Sequence, residues 1–492
     1  MSNGVKDNSN LKSKTISSMM WTALWRFGLM GITFISNMVL AHLLTPKDFG
    51  LIGILHIFIS VSEVFVIGGF GVALIQKKEV THIDYTTAFY WNVFVSVVTY
   101  MILFFSAPYI AQFYDMPLLT DILRVQSLTL IISAFAIVQS TQLQKNLNFK
   151  VYAIRGIVSA IVGAVVSVVM AFMGYGVWSL VGMTLAMNVA NVLLLWRISD
   201  WRPTWEFSFE SFKTLFSFGG LMMLSSLVTT IYNDIQGLLI GKFFSPQDMG
   251  YYSQARKLEQ VPTNSLSGIV NQVSFPVFST INDNKTKLKN HVSKNVKSVS
   301  YLSIPLCALL IIVAKPLILL LYGPQWEESV LYFQLLCLSG MIYIINCINL
   351  SVIKALGKGR VFFFMQIFKR IIGICLIFGG ISFGVKGVVI AVVITYFVDF
   401  LINNIVNYRL IGYGIKQQLG DIFNLLILSI GIGLIVYFLG WYLSVHQFII
   451  MGIQIITFTV IYISLSHLFN IEGYDVYKGV VLDAIKKHAS KY

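Results

Sequence analysis

Arg256, Gln260, Asn264, Ser267 and Asn271 fall at steps of four, four, three and four residues. That spacing puts them on one face of an α-helix. At 1.5 Å per residue the stripe is about 22 Å long, most of the thickness of a bilayer's hydrocarbon core. A polar face of that length is not stable against lipid. It lines water or a ligand, or it forms a hydrogen-bonded seam with another helix. Thr22, Arg26, Thr33 and Asn37 make a second such stripe, and Ser226, Thr229, Asn233 and Gln236 a third. The chemistry available is polar and cationic recognition. A guanidinium binds phosphate oxygens in pairs, so a vertical series of cations suits an anionic passenger such as a diphosphate.

Ionisable groups inside apolar spans are energetically unfavourable and mark functional positions. The cations so placed are Arg26, Arg256, Lys257, Lys369 and Arg370, and the acids are Glu63, Asp234 and Asp399. By position along their helices, Arg26, Lys369 and Arg370 fall in the cytosolic half of the membrane and Arg256 and Lys257 in the outer half. Each cation either meets an anionic ligand or extends its aliphatic stem to the interface. His56 occupies the place in the first half of the chain that Arg256 holds in the second. A hydrogen-bonded interior histidine is the simpler reading of it. The acids pair with cations or carry a coupling proton or Na+.

No constellation of catalytic residues is present. There is no phosphate loop of the G-x-x-x-x-G-K type, and no pair of acids on a large loop. Cys307, Cys337, Cys347 and Cys375 sit inside apolar runs without C-x-x-C spacing, so they read as small apolar residues and not as disulfides or metal ligands. Neither a metal nor an organic cofactor is expected.

The elements that must carry these side chains follow from composition. Of 492 residues 57% are hydrophobic and 11% charged, with a mean hydropathy of +0.78. A soluble domain carries about 25% charged residues. The chain is therefore an all-α integral membrane protein. Runs of about 20 apolar residues, the length that crosses a bilayer, number about fourteen. The eighth, near residues 251–276, holds the sharpest stripe and is the least apolar. The first run, near residues 16–44, is too long for the core of a cleavable signal and reads as a retained span. The net charge of +14 is explained by placement, not by nucleic acid. With an even number of spans both termini share a side, and nearly all Lys and Arg collect there. Lys47, Arg124, Lys242, Lys315 and Lys386 fall on the other. The positive side is the cytosol.

Leu43-Leu44-Thr45-Pro46-Lys47-Asp48-Phe49-Gly50 reappears as Phe243-Phe244-Ser245-Pro246-Gln247-Asp248-Met249-Gly250. Ala107-Pro108 before Phe113-Tyr114 has its counterpart in Lys315-Pro316 before Leu321-Tyr322, and the basic stretch from Lys145 to Lys150 in that from Lys354 to Arg360. The offsets of roughly 200–210 residues predict two parallel six-helix repeats around a central cavity, related by an axis along the membrane normal. Residues 1–15 then form a cytosolic tail, 16–200 the first lobe and 210–411 the second. Residues 419–468 form two further spans and 469–492 a second cytosolic tail. Gly156, Ala160 and Ala164, and Ser159, Gly163 and Ser167, recur every four residues and let helices approach closely in lipid.

Several of these stretches resemble the polysaccharide flippase/exporter family, especially its colanic-acid-exporter-like branch. They are Thr45–Gly50, then Gly68-Gly69-Phe70-Gly71-Val72-Ala73-Leu74-Ile75-Gln76, Gly250-Tyr251-Tyr252-Ser253-Gln254-Ala255-Arg256-Lys257-Leu258, Phe275-Pro276, and Gln142-Leu143-Gln144-Lys145. The likeness covers about residues 15–410. It implies a Wzx-type member of the superfamily that also holds multidrug/cation antiporters and the lipid II flippase. Such proteins carry undecaprenyl-diphosphate-linked oligosaccharides across the bacterial cytoplasmic membrane by alternating access. The family's cationic cavity makes Arg26 and Arg256 the residues expected at the diphosphate. The implied partners are that lipid-linked substrate, the bilayer, and the polymerase and chain-length machinery of surface polysaccharides, with no nucleic acid. Two other classes are weighed against it. A drug/cation antiporter of the same fold calls for a mainly acidic cavity, whereas the spans hold more cations than acids. A membrane-embedded glycan polymerase calls for a large outer loop rich in Arg, His or acids, and the outer loops are short.

Overall fold

The computed structural model describes residues 3–442 and 446–479, with side chains throughout except at residues 3–19 and 23. Lys486, Lys487 and Lys491, among the charges counted for orientation, lie outside the described residues. No strand occurs among the described residues. Thirteen helical segments among them are long and apolar enough to cross a membrane.

The chain divides into two compact units, Met1–Gly250 and Tyr251–Tyr492. The first contains α1 (Asn3–Leu43), α2 (Pro46–Ile67), α3 (Phe70–Gln76), α4 (His82–Tyr114), α5 (Leu118–Gln126), α6 (Leu128–Lys145), α7 (Phe149–Phe172), α8 (Trp178–Ile198) and α9 (Phe209–Phe243). Helix α10 (Pro246–Thr280) starts at the end of the first unit and runs through the second. It is 35 residues long, or about 52 Å at 1.5 Å per residue. Its polar stripe keeps it out of the thirteen, where the sequence led to an expectation of about fourteen. The second unit continues with α11 (Lys285–Ile312), α12 (Ala314–Tyr322), α13 (Ser329–Ala355), α14 (Gly359–Ile381), α15 (Gly384–Ile411), α16 (Ile415–Tyr442) and α17 (Gln447–Leu468).

The two Pro-x-Asp-x-Gly turns share one construction. The Thr45 backbone N–H donates to Asp48 Oδ2 at 2.9 Å, and Asp48 N–H returns to Thr45 Oγ1 at 3.4 Å. Ser245 and Asp248 repeat the exchange at 3.1 and 3.1 Å. Each is a capping box, and the Pro that follows starts the helix because its missing N–H would have no helical partner there. The turns also touch. A Cβ on Gly50 would lie 1.7 Å from the Pro246 carbonyl oxygen, and one on Gly250 1.9 Å from that of Pro46. In an ordinary helix interior alanine is favoured over glycine by about 1 kcal/mol. Here Gly50→Ala or Gly250→Ala forces two backbones apart, an overpacking cost of about 1–3 kcal/mol. Each variant should melt at a lower temperature than the wild type in detergent. An unchanged melting temperature would mean that the turns do not meet.

Small residues on α7 work as the spacing predicts. A Cβ on Gly156 would lie 2.6 Å from Trp25 Nε1 of α1, and one on Gly163 2.8 Å from the Met183 carbonyl of α8. Gly156 and Gly163, at i and i+7, thus seat two neighbours at two levels of one face of α7. Helix α9 packs on α2, α3 and α4. It lies within the first unit. In the second unit α13 is the most enclosed span, held between α11 and α15. Helices α16 and α17 join this unit through α11: α16 packs along it, and the Tyr462 hydroxyl of α17 donates to the Tyr301 carbonyl at 2.8 Å.

Candidate functional site

In the second unit the α10 stripe is open along much of its length. Lys257, Asn264 and Asn271 are exposed, Arg256 and Gln260 are half-buried, and Ser267 is buried. Arg256 Nη1 donates to the Tyr252 hydroxyl at 3.0 Å. Tyr252, one turn earlier, is buried, so it fixes the stem of the guanidinium against the helix. An adjoining strip of α10 turns inward. Glu259 is 7% exposed, accepts from Thr263 Oγ1 at 2.5 Å, and lies against Gly340 of α13. The sequence reading missed Glu259. The available signal was its i, i+4 spacing to Thr263 and its i+3 spacing to Arg256.

Lys369 on α14 is placed differently from the stripe. It is 3% exposed, and its Nζ donates to Asn403 Oδ1 at 3.2 Å and lies 3.8 Å from Asp399 Oδ2 on α15. It neither opens onto free space nor reaches an interface. The neighbouring Arg370 is half-buried. The polar cluster continues beyond this pair. Asn403 Nδ2 donates to Asn346 Oδ1 at 2.8 Å, Asn407 Nδ2 to Asn349 Oδ1 at 3.1 Å, and Asn349 Nδ2 to Gln418 Oε1 at 3.0 Å. Buried amides that satisfy one another in this way pin α13, α15 and α16 in one register. The sequence reading did not single out these amides, although Asn403 and Asn407 stand at i, i+4 and Asn346 and Asn349 at i, i+3.

In the first unit Arg26 is exposed on α1 and Asn37 half-buried. Thr33, from the same stripe, donates to the Leu29 carbonyl at 2.8 Å, so its polarity is spent on its own helix. Glu63 and Asn233 are exposed and Asp234 half-buried. Here the acids have company that the sequence did not reveal. Asp234 Oδ2 on α9 accepts from Ser60 Oγ of α2 at 2.6 Å and lies 3.5 Å from His56 Nδ1. His56, Ser60 and Glu63 stand at i, i+4 and i+7 on α2. The arrangement brings one imidazole and one carboxyl group together across the α2–α9 pair, a set able to hold and exchange a proton, with Glu63 further along the same helix.

Among the described residues no group of three or more His, Cys, Asp or Glu side chains could hold a metal ion. An apolar groove of about 630 Å³ runs between α11 and α17, lined by Leu302, Leu309, Phe458 and Ile463 with Tyr474 and Lys478 at one end.

The family described as "Polysaccharide biosynthesis protein" matches residues 39–331. The lipopolysaccharide biosynthesis protein WzxC of Escherichia coli (strain K12) is 24% identical over 444 residues, which is 90% of this chain and 87% of that protein. The succinoglycan biosynthesis transport protein ExoT of Rhizobium meliloti (strain 1021) is 25% identical over 366 residues, 73% of each chain. Among solved structures, the lipid II flippase MurJ in an inward closed conformation aligns with a TM-score of 0.75 at 14% identity, covering 92% of this chain and 98% of that one. That likeness concerns the fold.

Proposed function

The chain belongs to the polysaccharide biosynthesis protein family, and from that membership we propose that it is a flippase for undecaprenyl-diphosphate-linked oligosaccharides in the bacterial cytoplasmic membrane. It is a transporter and not an enzyme. It moves the repeat units of a surface polysaccharide across the membrane by alternating access, presenting one site first to the cytosol and then to the outside. Both termini lie in the cytosol, as the distribution of Lys and Arg requires.

One observation carries the reading: Arg256 and Lys257 head the open polar face of α10. Arg256 and Arg26 take the diphosphate, whose paired oxygens match a guanidinium. Asn264 and Asn271 offer amide groups to sugar hydroxyls. The isoprenoid tail follows apolar surface on the last two spans, where the α11–α17 groove has the polarity that a lipid chain needs. Lys369 contributes to the fold through Asp399. His56, Asp234 and Glu63 are the groups suited to couple transport to a proton.

The test is transport by the full chain reconstituted in vesicles. A fluorescent undecaprenyl-diphosphate-linked disaccharide placed in one leaflet should reach the other at a rate proportional to protein. Vesicles that move a lipophilic cation and leave the lipid-linked sugar in place would instead identify an antiporter.

A further inference from the structure

We propose that the connector between α8 and α9, residues 199–208, is an in-plane anchor lying in the headgroup layer of the membrane, with Trp205 as the side chain that it inserts. Instead of looping away from the helices, the segment runs back along the first turns of α4. The Trp201 ring lies 5.9 Å from that of His82 and 5.8 Å from that of Phe89, centroid to centroid. His82 Nε2 meets the Arg202 carbonyl at 3.1 Å, and the Ser208 backbone N–H donates to Thr87 Oγ1 at 3.1 Å. Between these ties Trp205 stacks on Tyr90, with ring centroids 6.0 Å apart and planes inclined by 26°. Trp205 is nevertheless 95% exposed, and Phe207 and Phe209 beside it are exposed as well.

What covers Trp205 follows from the helix on which it rests. Tyr90, Phe94, Val98, Met101, Phe105 and Tyr109 recur on α4 at steps of four, four, three, four and four, one face of a helix. From Phe94 onward each of them is exposed, so this face of the span meets lipid. From Tyr90 to Tyr109 the rise is about 28 Å at 1.5 Å per residue, close to the roughly 30 Å of a hydrocarbon core. The two tyrosines therefore mark its two boundaries. That is the level at which Trp and Tyr collect, because the ring is apolar and its N–H or O–H needs water. Trp205, stacked on the first of them, stands at the same level, in the leaflet that is cytosolic in the proposed orientation. Charge does not drive the contact. Arg197, Arg202 and Lys213 are matched in number by Asp200, Glu206 and Glu210, so the anchor fits zwitterionic and anionic phospholipids alike. The connector between the two sequence repeats is then part of the membrane-bound body of the first unit and not a loose tether, whatever the passenger.

The experiment uses the full-length protein with fluorotryptophan at all nine tryptophans, in phospholipid nanodiscs, read by fluorine NMR. The line missing from Trp205→Phe is that of Trp205, and Trp205→Tyr makes the same assignment if the first variant is not recovered. Two broadening agents are compared, a phospholipid spin-labelled high on its acyl chain and a water-soluble gadolinium chelate. The Trp205 line should broaden several-fold more with the labelled lipid than with the chelate. It should do so equally in phosphatidylcholine and phosphatidylglycerol discs, and equally at low and high salt, because no net charge is involved. The buried Trp326 supplies a reference line that neither agent reaches. A Trp205 line broadened mainly by the chelate overturns the inference. A shift of that line on adding a soluble disaccharide would also overturn it, and would make the Trp205–Tyr90 pair a sugar platform instead. So would broadening by the labelled lipid in anionic discs alone, since the contact would then be electrostatic.

Discussion

Asp399→Ala should destabilise the protein by about 3–5 kcal/mol, the usual effect of removing one member of a buried ion pair. Lys369 is 3% exposed and would keep only the neutral Asn403 oxygen at 3.2 Å as a near partner. The loss of the acid leaves the Lys369 charge uncompensated inside an apolar span. The expected readout is a large fall in melting temperature in detergent, with aggregation on heating. Replacing both partners, Lys369→Met with Asp399→Leu, removes the charge instead of stranding it, and should recover most of the lost stability. The same double variant tests the division of labour proposed among the cations. If Lys369 is part of the scaffold, transport returns together with stability. Restored melting without transport would return Lys369 to the ligand set.

The second large effect concerns transport. Arg256→Gln and Arg26→Gln should each slow translocation of the lipid-linked disaccharide about 10- to 100-fold, because a hydrogen bond to a charged group contributes about 1.5–3 kcal/mol and 1.4 kcal/mol is a factor of ten. Arg256 is the cleaner case, since Tyr252 fixes its stem and the substitution leaves the helix face otherwise unchanged. Lysine at either position should recover part of the rate, because it restores the charge but not the two-pronged geometry. Melting temperatures close to the wild type would assign the loss to the site, not to the fold. Rates unchanged by both substitutions would remove the arginines from the proposed mechanism.

The periodic features of this protein were legible in its sequence. The α10 stripe depends on the 3.6-residue period alone, which does not require knowledge of neighbours. The turns at Thr45–Gly50 and Ser245–Gly250 were legible because Pro, Asp and Gly act locally, through φ, capping and lack of a Cβ. What stayed hidden depends on residues distant in sequence. Glu259 became visible once α13 brought Gly340 against it. His56 read as a solitary histidine until α9 placed Asp234 opposite it. Lys369 and Asp399 were both noted, but nothing local joined them across α14 and α15.

The central claim is that this chain handles its passenger through the anionic headgroup. The most direct measurement is a competition in one vesicle preparation between two fluorescent lipid-linked disaccharides with the same isoprenoid and the same sugar. One carries the diphosphate and the other a neutral ether link. The diphosphate form should cross at least about tenfold faster, consistent with charge-assisted contacts, and Arg256→Gln should narrow the difference, with Arg26→Gln in addition abolishing it. Equal rates for the two lipids in the wild-type protein would contradict it.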